Sequence, residues 1–310
     1  MQVYDHKTID ARLDWPGLIE TLRRGLAAAQ AEAPPRQVLT IPHPDGGEGH
    51  LLIMPAWQAG RAVGVKVVTF FPGNAARGQA TINAGYLMFD GSDGRFVAAM
   101  DGDALTARRT AAASALAADY LARKDARVLL ICGTGQLAAA AAQAHAAMRD
   151  YQQILIWGRS ADKAAAIADA LARAGLPARV CPDLEAGCRG ADVISAVTAS
   201  TRPFILGEWL APGSHLDLIG GFKADMRECD DLAVTQARIF VDGRAGALLA
   251  GDLAQPIQAG LLDPSRIAGD LVELIQGRIA GRENKAERTV FKSAGMSQED
   301  LLAAMRVAGL

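Results

Sequence analysis

The sequence predicts an α/β protein in which a Rossmann-type, doubly wound parallel sheet follows an N-terminal α+β domain. The chain has 310 residues, more than one typical core requires. Residues 36–101 contain apolar runs separated by short turn clusters, which indicate an antiparallel sheet. From about residue 120 onwards, near-continuous apolar strands alternate with helical segments, and this pattern is typical of a parallel sheet.

The composition is that of an ordinary globular protein. Apolar residues make up 50% of the chain, charged residues 21%, and the formal net charge is −2. A chain without a basic surface is not expected to bind nucleic acid or anionic membranes. The N-terminus lacks the pattern of a signal peptide, and no apolar stretch reaches the roughly 18 residues of a membrane span. The four cysteines have no metal-binding or disulfide spacing, so we expect a cytoplasmic protein without a metal site.

The N-terminal part is expected to begin with a helix over 14–31 that Asp14 caps. Pro34 and Pro35 stop this helix. Turn signals such as Asp45-Gly46-Gly47 separate the strands that follow. These strands are predicted at 38–41, 51–54, 63–71, 86–89 and 96–100. Thr106 is then expected to cap a long helix that runs to about Arg123.

The second part alternates strands with helices. Strands are predicted at 128–132, 154–157, 178–180, 193–197, 215–219 and 239–242. A helix is expected over 162–174. The last segment starts at Ser297 and reads as a terminal helix, with Glu299 and Asp300 in its first turn.

A glycine-rich turn directly after the strand at 128–132 predicts a dinucleotide site. The turn reads Gly133-Thr134-Gly135-Gln136-Leu137-Ala138, and it opens a predicted helix. The first glycine permits the tight turn, the second lets a pyrophosphate approach the backbone, and the alanine allows close helix–strand packing. The free N–H groups at the helix start then face the phosphates. We therefore expect these residues to bind a nicotinamide cofactor.

The end of the next strand bears on which cofactor is bound. An NAD site usually has an acidic residue there, for the ribose 2′-hydroxyl. This chain has Trp157-Gly158-Arg159-Ser160 instead, and no carboxylate precedes Asp162. A guanidinium and a hydroxyl suit a 2′-phosphate, so NADP(H) is favoured. NAD(H) stays an alternative, because Arg159 can equally be a solvated arginine at a helix start.

Three cations in the N-terminal part are candidates for binding a carboxylate. Lys66 interrupts a strand that is apolar on both faces, and a buried ammonium without an anionic partner costs several kcal/mol. Its partner could be an internal carboxylate or that of a substrate. Arg109 lies near the predicted start of the long helix, where a guanidinium makes a strong carboxylate site. Arg36 follows the two prolines near the sheet edge. Each of the three alone also has a surface interpretation.

Several short motifs together resemble the ornithine cyclodeaminase/mu-crystallin family over nearly the whole chain. In order, they are Lys66-Val67-Val68, Pro72-Gly73-Asn74, Asp101-Gly102, Leu105-Thr106-Ala107-Arg108-Arg109, Gly133-Thr134-Gly135-Gln136 and Phe291-Lys292-Ser293-Ala294-Gly295. The resemblance implies a homodimer with a substrate-binding and dimerisation domain over 1–119, joined by 291–310. It implies an NAD(P)-binding domain over 120–290.

The same resemblance assigns residues to the site. It implies that cations surround the substrate carboxylate, with Lys66 and Arg109 as the catalytic positions. The implied substrate-binding residues are Arg36, Lys66, Asn74, Arg109 and Phe222. The expected cofactor-binding residues are Gly133, Thr134, Gly135, Gln136, Leu137, Trp157, Arg159, Ser160, Thr198 and Lys292.

Two departures from the family pattern bear on the substrate. Cyclodeaminases carry a glutamate where this chain has Leu52 and an aspartate where it has Phe222, and these acids handle the amino groups of ornithine. Their absence favours the ketimine-reductase branch, which reduces Δ1-pyrroline-2-carboxylate and Δ1-piperideine-2-carboxylate to proline and pipecolate. Phe222 suits the apolar ring of such a cyclic imine. We therefore predict NADPH-dependent hydride transfer to the C=N carbon of a small cyclic imino acid.

Other functions stay open at this point. An alanine-type amino-acid dehydrogenase would share the carboxylate site but needs a polar group for the substrate amine. Ornithine cyclodeaminase is a further alternative, and a non-catalytic NADPH-binding or small-ligand-binding protein like mu-crystallin is the non-enzymatic one. The proton donor to the imine nitrogen is also open. Asp225 and Glu228 lie in a suitable loop, where solvated or helix-capping roles are at least as plausible.

Overall fold

The computed structural model describes residues 1–43 and 47–310, so the turn predicted at Asp45 and Gly46 lies outside the described residues. The chain divides into two compact units. Unit 1 comprises residues 1–109 and 296–310, and unit 2 comprises residues 110–295. The division therefore falls inside one long helix, between Arg109 and Thr110.

Unit 1 contains a seven-stranded sheet and helices. The strands are β1 (Gln2–Tyr4), β2 (Ala31–Glu32), β3 (Gln37–Pro42), β4 (Glu48–Gln58), β5 (Ala62–Phe70), β6 (Ile82–Asp90) and β7 (Phe96–Asp101). The helices, numbered along the whole chain, are α1 (His6–Arg12), α2 (Trp15–Ala28), the first part of α3 (Gly102–Leu121) and the terminal α11 (Ser297–Ala308). A 3₁₀ helix spans Pro72–Arg77.

The sheet of unit 1 has the order β1-β7-β6-β5-β4-β2, and β3 also pairs with β4. The predicted antiparallel pairing of β3 to β7 is confirmed. The prediction missed β1, which pairs in parallel with β7, and the helix α1. A strand of three residues is too short to show a period of two, so its sequence carried no signal. The predicted Asp14 cap of α2 is confirmed, since its carboxylate accepts from the Gly17 N–H at 2.8 Å.

The long helix α3 starts earlier than predicted. The Asp101 carboxylate accepts hydrogen bonds from the N–H groups of Asp103 and Ala104, at 3.0 and 2.9 Å, and so starts the helix at Gly102. The prediction that Thr106 caps α3 is therefore wrong. Arg109 consequently lies about two turns inside the helix, so its predicted position beside the helix N-terminus is also wrong.

Unit 2 contains an eight-stranded sheet and helices that begin with the remainder of α3. The strands are β8 (Val128–Cys132), β9 (Gln153–Trp157), β10 (Ala178–Val180), β11 (Val193–Ala196), β12 (His215–Leu218), β13 (Arg238–Val241), β14 (Ile267–Asp270) and β15 (Thr289–Lys292). The other helices are α4 (Gln136–Met148), α5 (Ala161–Arg173), α6 (Leu184–Gly190), α7 (Asp231–Thr235), α8 (Arg244–Ala247), α9 (Gly251–Gln258) and α10 (Leu271–Ile275). Two short 3₁₀ helices span Gly207–Trp209 and Pro264–Arg266.

The sheet of unit 2 confirms the Rossmann-type prediction. Its order is β10-β9-β8-β11-β12-β15-β13-β14, and every pair is parallel. The strand order reverses at β8, which has β9 on one side and β11 on the other. Ligands of open α/β sheets bind beyond the carboxyl ends of the strands at such a switch point. The sequence did not predict β14 or β15, and β15 lies between β12 and β13 although it comes last in the chain.

The buried core of unit 2 contains all four cysteines, each with a free thiol. Burial raises the pKa of the Cys132 thiol well above its ordinary value, as expected for a small core residue. Of the helices that the structure describes, none is long and apolar enough to cross a membrane.

Candidate active site

The glycine-rich turn after β8 requires glycine for two reasons. Gly133 has a φ of +140°, which side-chain-bearing residues rarely adopt. A Cβ at this position would also lie 2.7 Å from Cγ2 of Val197. The Gly133 N–H donates to the Trp157 carbonyl at 2.8 Å, which fixes the turn against the end of β9. Both the backbone angle and the proximity of Val197 therefore require glycine at position 133.

The helix α4 opens directly beyond this turn, with Gly135 as its N-cap. Among the described residues, no side chain caps the helix, and no atom beyond the chain neighbours lies within 4 Å of a Cβ built on Gly135. The first N–H groups of a helix have no partner within it, so those of Gln136 and Leu137 suit an anion. Ala138 is fully buried. These features fit the pyrophosphate of a dinucleotide.

The residues that follow β9 occupy different environments. The Trp157 ring stacks on Phe204, with ring centroids 5.5 Å apart, so one of its faces packs against the protein. The Ser160 hydroxyl accepts from the Lys163 N–H at 3.4 Å and caps α5. Arg159 is exposed just beyond the carboxyl end of β9. The first carboxylate that follows this strand, that of Asp162, is exposed in the first turn of α5. This arrangement leaves the predicted contact of Arg159 with a 2′-phosphate sterically open.

Lys66 and Arg109 lie together in the interior of unit 1, beside two carboxylates of the terminal helix. The Lys66 Nζ lies 2.8 Å from Oδ1 of Asp300, and Nε of Arg109 lies 2.8 Å from the same oxygen. Nη1 of Arg109 donates to Oε2 of Glu299 at 2.8 Å. All four side chains are at most 5% exposed. Of the two partners left open for Lys66, the internal carboxylate is therefore present.

The roles of Glu299 and Asp300 were not predicted from the sequence. Their position in the first turn of α11 indicated acids that favour a helix start, whereas both side chains are fully buried. The available signal was the apolar run Leu301-Leu302-Ala303-Ala304-Met305 that follows them directly, and the structure shows residues 299–305 all buried. Buried carboxylates require positive partners, and Lys66 had been identified as a buried cation that requires an anion.

The electrostatics of this cluster depend on burial and on neighbouring charges. Burial, the Arg109 guanidinium and the Arg36 guanidinium lower the pKa of Lys66 to about 8, although Asp300 acts in the opposite direction. Arg36 therefore lies within electrostatic range of Lys66, and the three predicted cations share one region of unit 1. Burial raises the pKa of Tyr86, which pairs with Lys66 across β5 and β6, well above its ordinary value.

The other predicted substrate residues lie in different surroundings. The Asn74 side chain donates to the Ala80 carbonyl at 2.8 Å and accepts from Nη2 of Arg77 at 2.7 Å, so its amide stabilises its own turn. Phe222 is half-buried in unit 2, in the loop after β12. Substrate contacts of these two residues stay predictions.

A buried carboxylate organises the carboxyl edge of the sheet in unit 2. Oε1 of Glu228 accepts from the N–H and the hydroxyl of Thr198, at 2.6 and 2.8 Å. Its Oε2 accepts from the N–H groups of Gly220 and Gly221, at 2.9 and 3.3 Å. Glu228 is fully buried, so the solvated-loop interpretation is wrong. Burial raises its pKa to about 7, against the effect of the Lys292 ammonium. The predicted cofactor residue Thr198 is thus held through Glu228.

Lys292 belongs to the same buried network. Its Nζ lies 2.8 Å from Oδ2 of Asp252, and both side chains are fully buried. Oδ1 of Asp252 accepts from the Glu228 N–H at 2.7 Å. Asp252 and Glu228 raise the pKa of Lys292 although burial alone would lower it. The ammonium is therefore matched by internal carboxylates, and its contact with a cofactor stays a prediction.

The core of unit 2 also contains serine, histidine and aspartate side chains within reach of one another. Asp217 accepts hydrogen bonds from the hydroxyls of Ser114 and Ser195, and Nε2 of His145 lies 3.5 Å from its Oδ2. All four side chains are buried. Both serine hydroxyls donate to Asp217 and not to the His145 ring, which differs from the Ser–His–Asp order of a hydrolytic triad, so this set is a structural network.

Comparison with known proteins agrees with this geometry. The model of the ornithine cyclodeaminase/mu-crystallin family matches residues 5–309. The Δ1-pyrroline-2-carboxylate reductase of Paracoccus denitrificans is 38% identical over 96% of this chain and 93% of its own length. The ketimine reductase mu-crystallin of Rattus norvegicus is 36% identical, over 84% of this chain and 80% of its own length.

Solved structures include close matches to the whole chain. The Thermococcus litoralis Δ1-pyrroline-2-carboxylate reductase, in complex with NADH and L-proline, has a TM-score of 0.94 at 28% identity, covering 100% of this chain and 97% of that one. An archaeal alanine dehydrogenase dimer with bound NAD has a TM-score of 0.92 at 27% identity, covering 100% and 95%. The chain belongs to the ornithine cyclodeaminase/mu-crystallin family, and it is an NAD(P)H-dependent oxidoreductase.

Proposed function

We propose that this enzyme reduces a cyclic imino acid, Δ1-pyrroline-2-carboxylate or Δ1-piperideine-2-carboxylate, to L-proline or L-pipecolate with NADPH. The observation that carries the proposal is the buried pair of cations, Lys66 and Arg109. It occurs in a chain that is 38% identical to a Δ1-pyrroline-2-carboxylate reductase over 96% of its length.

The cations of unit 1 suit the carboxylate that both imino acids carry. A guanidinium presents two parallel donors to a carboxylate, and an ammonium adds a charge-assisted hydrogen bond. Binding the carboxylate at Arg109 and Lys66, with Arg36 nearby, fixes the planar ring and therefore the position of its C=N carbon. The proton on the ring nitrogen comes from water, or the iminium binds already charged.

Residues at two positions argue against the alternatives that need a free amino group. Leu52, where cyclodeaminases carry a glutamate, is buried in β4 and pairs with Val68. Phe222 stands where they carry an aspartate. Apolar side chains cannot satisfy an ammonium group. At these positions the amino group of ornithine, or that of an open-chain amino acid, would therefore find no polar partner.

The glycine turn, the open N-terminus of α4 and the exposed Arg159 would bind the cofactor. When bound, NADPH supplies the hydride that reduces the imine carbon. Arg159 supports the preference for NADPH, because a guanidinium at the end of β9 favours a 2′-phosphate. NADH is the competing cofactor, since the Thermococcus litoralis enzyme was solved with it.

We further propose that the enzyme works as a homodimer in the cytoplasm. One face of the sheet in unit 1 is apolar, with Val63, Val65 and Val67 of β5 beside Leu87 of β6. Val63 and Leu87 are 39% and 37% exposed. An exposed cluster of large apolar side chains usually marks a protein–protein interface. A second copy of the same sheet is the partner that fits this face.

The first experiment follows the loss of NADPH absorbance with each cyclic imine, with NADH in parallel. We expect turnover with the wild type, faster with NADPH, and loss of turnover in Arg109→Ala. Arg108→Ala is the matched control, because Arg108 pairs with Asp10 at 2.7 Å and lies over the Trp15 ring. Binding of NADPH without turnover of either imine would refute the proposal and favour the binding protein.

A further inference from the structure

We propose that Asp300 of the terminal helix α11 is a positioning residue for substrate binding, which holds Lys66 and Arg109 in one arrangement and keeps the Lys66 ammonium charged. This inference rests on the proposed function, because it assigns the carboxylate of the imino acid to these two cations. It extends the site to a helix that is separated in sequence from both of them.

The contacts of Asp300 differ from those of its neighbour Glu299. Oδ1 of Asp300 lies 2.8 Å from Nζ of Lys66 and 2.8 Å from Nε of Arg109, so one carboxylate bridges both cations. Glu299 binds Nη1 of Arg109 at 2.8 Å and, more weakly, the Met296 N–H at 3.4 Å. Asp300 therefore acts on both cations, whereas the ion pair of Glu299 involves Arg109.

The charges around Lys66 explain why it needs Asp300. Arg109 on α3 and Arg36 before β3 both disfavour a charged ammonium, as does burial. On β6, Tyr86 is neutral because its pKa is raised. Asp300 is the carboxylate in contact with Lys66, and Asp103 on α3 interacts with it electrostatically. Removal of the Asp300 charge should thus convert much of Lys66 to its neutral form at neutral pH.

This arrangement predicts a pH dependence whose sign follows from Lys66. The substrate carboxylate needs a protonated Lys66, so binding weakens as the pH rises through the pKa of Lys66, which is about 8. In Asp300→Asn this pKa falls further, and the alkaline loss of kcat/KM should begin at lower pH. In Glu299→Gln the midpoint should not move, because an arginine stays protonated throughout this range.

The test measures kcat and KM for Δ1-pyrroline-2-carboxylate from about pH 6 to about pH 10 in the wild type, Asp300→Asn and Glu299→Gln. We expect the alkaline midpoint of kcat/KM to fall by at least about one pH unit in Asp300→Asn, with KM near pH 8 raised about tenfold. The Glu299→Gln variant should keep the wild-type midpoint. Equal midpoints in Asp300→Asn and the wild type would overturn the inference.

Lys66→Arg provides a test that does not depend on the folding of Asp300→Asn. An arginine at this position cannot deprotonate in the same range, so the binding of pyrrole-2-carboxylate, a planar ring whose nitrogen does not titrate there, should lose its alkaline limb. If the limb persists in a folded Lys66→Arg enzyme, another group titrates and the inference fails. Circular dichroism and NADPH binding show whether each variant is folded.

Failure of the proposed function can be told apart from failure of this inference. If the wild type reduces neither imine, the proposed function is refuted. Binding of pyrrole-2-carboxylate, a planar ring with one carboxylate, then replaces the kinetics and is measured by calorimetry over the same pH range. The same shift in Asp300→Asn would support the inference, and absence of binding or of a shift would refute it.

Discussion

The ion pair between Lys292 and Asp252 allows a quantitative prediction about stability. Both side chains are fully buried and their charged atoms are 2.8 Å apart, and Glu228 lies in the same network. The substitution Lys292→Met retains most of the aliphatic stem but leaves the Asp252 carboxylate without its cation. Removal of one partner of a buried pair costs about 3–5 kcal/mol. Glu228 can take up a proton near neutral pH. Below pH 7 this proton reduces the negative charge left beside Asp252, so we expect a loss of stability near the lower end of this range there.

The assay is denaturant unfolding of the wild type and variants, followed by circular dichroism at fixed pH. Lys285→Met is the matched control, since Lys285 is exposed in the same unit and its loss should cost less than about 0.5 kcal/mol. The double variant Lys292→Met with Asp252→Asn should recover part of the loss, because both charges are then absent. The asparagine oxygen can still accept from the Glu228 N–H.

The outcome also decides the predicted cofactor contact of Lys292. A free energy of unfolding within about 1 kcal/mol of the wild type would refute the reasoning from the buried pair. If the KM for NADPH rose in such a stable variant, Lys292 would be a cofactor ligand. A large loss of stability with an unchanged KM in the remaining folded enzyme would identify it as a structural counter-ion.

Three other predictions concern the cofactor, the pH dependence of stability and the dimer. Arg159→Ala should raise the KM for NADPH by about tenfold to a hundredfold, since a hydrogen bond to a charged group is worth about 1.5–3 kcal/mol. The KM for NADH should stay unchanged. Equal effects on both cofactors in initial-rate assays would contradict the 2′-phosphate contact. The folded pKa of Glu228 is raised to about 7, so its contribution to stability is present below its ordinary pKa and is lost as the pH rises to about 7. The free energy of unfolding should therefore fall by up to about 3 kcal/mol more in the wild type than in Glu228→Gln between about pH 4.5 and pH 7, and parallel curves in pH-dependent unfolding would refute this. Val65→Lys, on the apolar face of the sheet in unit 1, should give a monomer in sedimentation velocity. Leu249→Lys, at an exposed leucine of unit 2, should leave the dimer intact. A dimeric Val65→Lys protein would exclude the apolar face of unit 1 as the dimer interface.

Local patterns in the sequence were sufficient for most of the architecture. Apolar runs separated by turn clusters predicted β3 to β7, and near-continuous apolar strands alternating with helical segments predicted the parallel sheet, because burial against a core selects apolar residues in each strand. Gly133 was identified as essential to its turn because a positive φ is a property of the local backbone. The start of α3 was predicted at Thr106, whereas the Asp101 carboxylate accepts from the first N–H groups of the helix.

Only the tertiary structure decided which charges meet. The sequence showed that a lysine inside an apolar strand needs an anion, since burial of a bare charge is costly wherever it occurs. It could not name Asp300, which is 234 positions away, or the Glu299 partner of Arg109, which is 190 positions away. The same holds for β15, which is inserted between β12 and β13 by pairing with strands distant in sequence. The need for a partner is set by local chemistry, whereas the identity of the partner is set by the packing of elements from opposite ends of the chain.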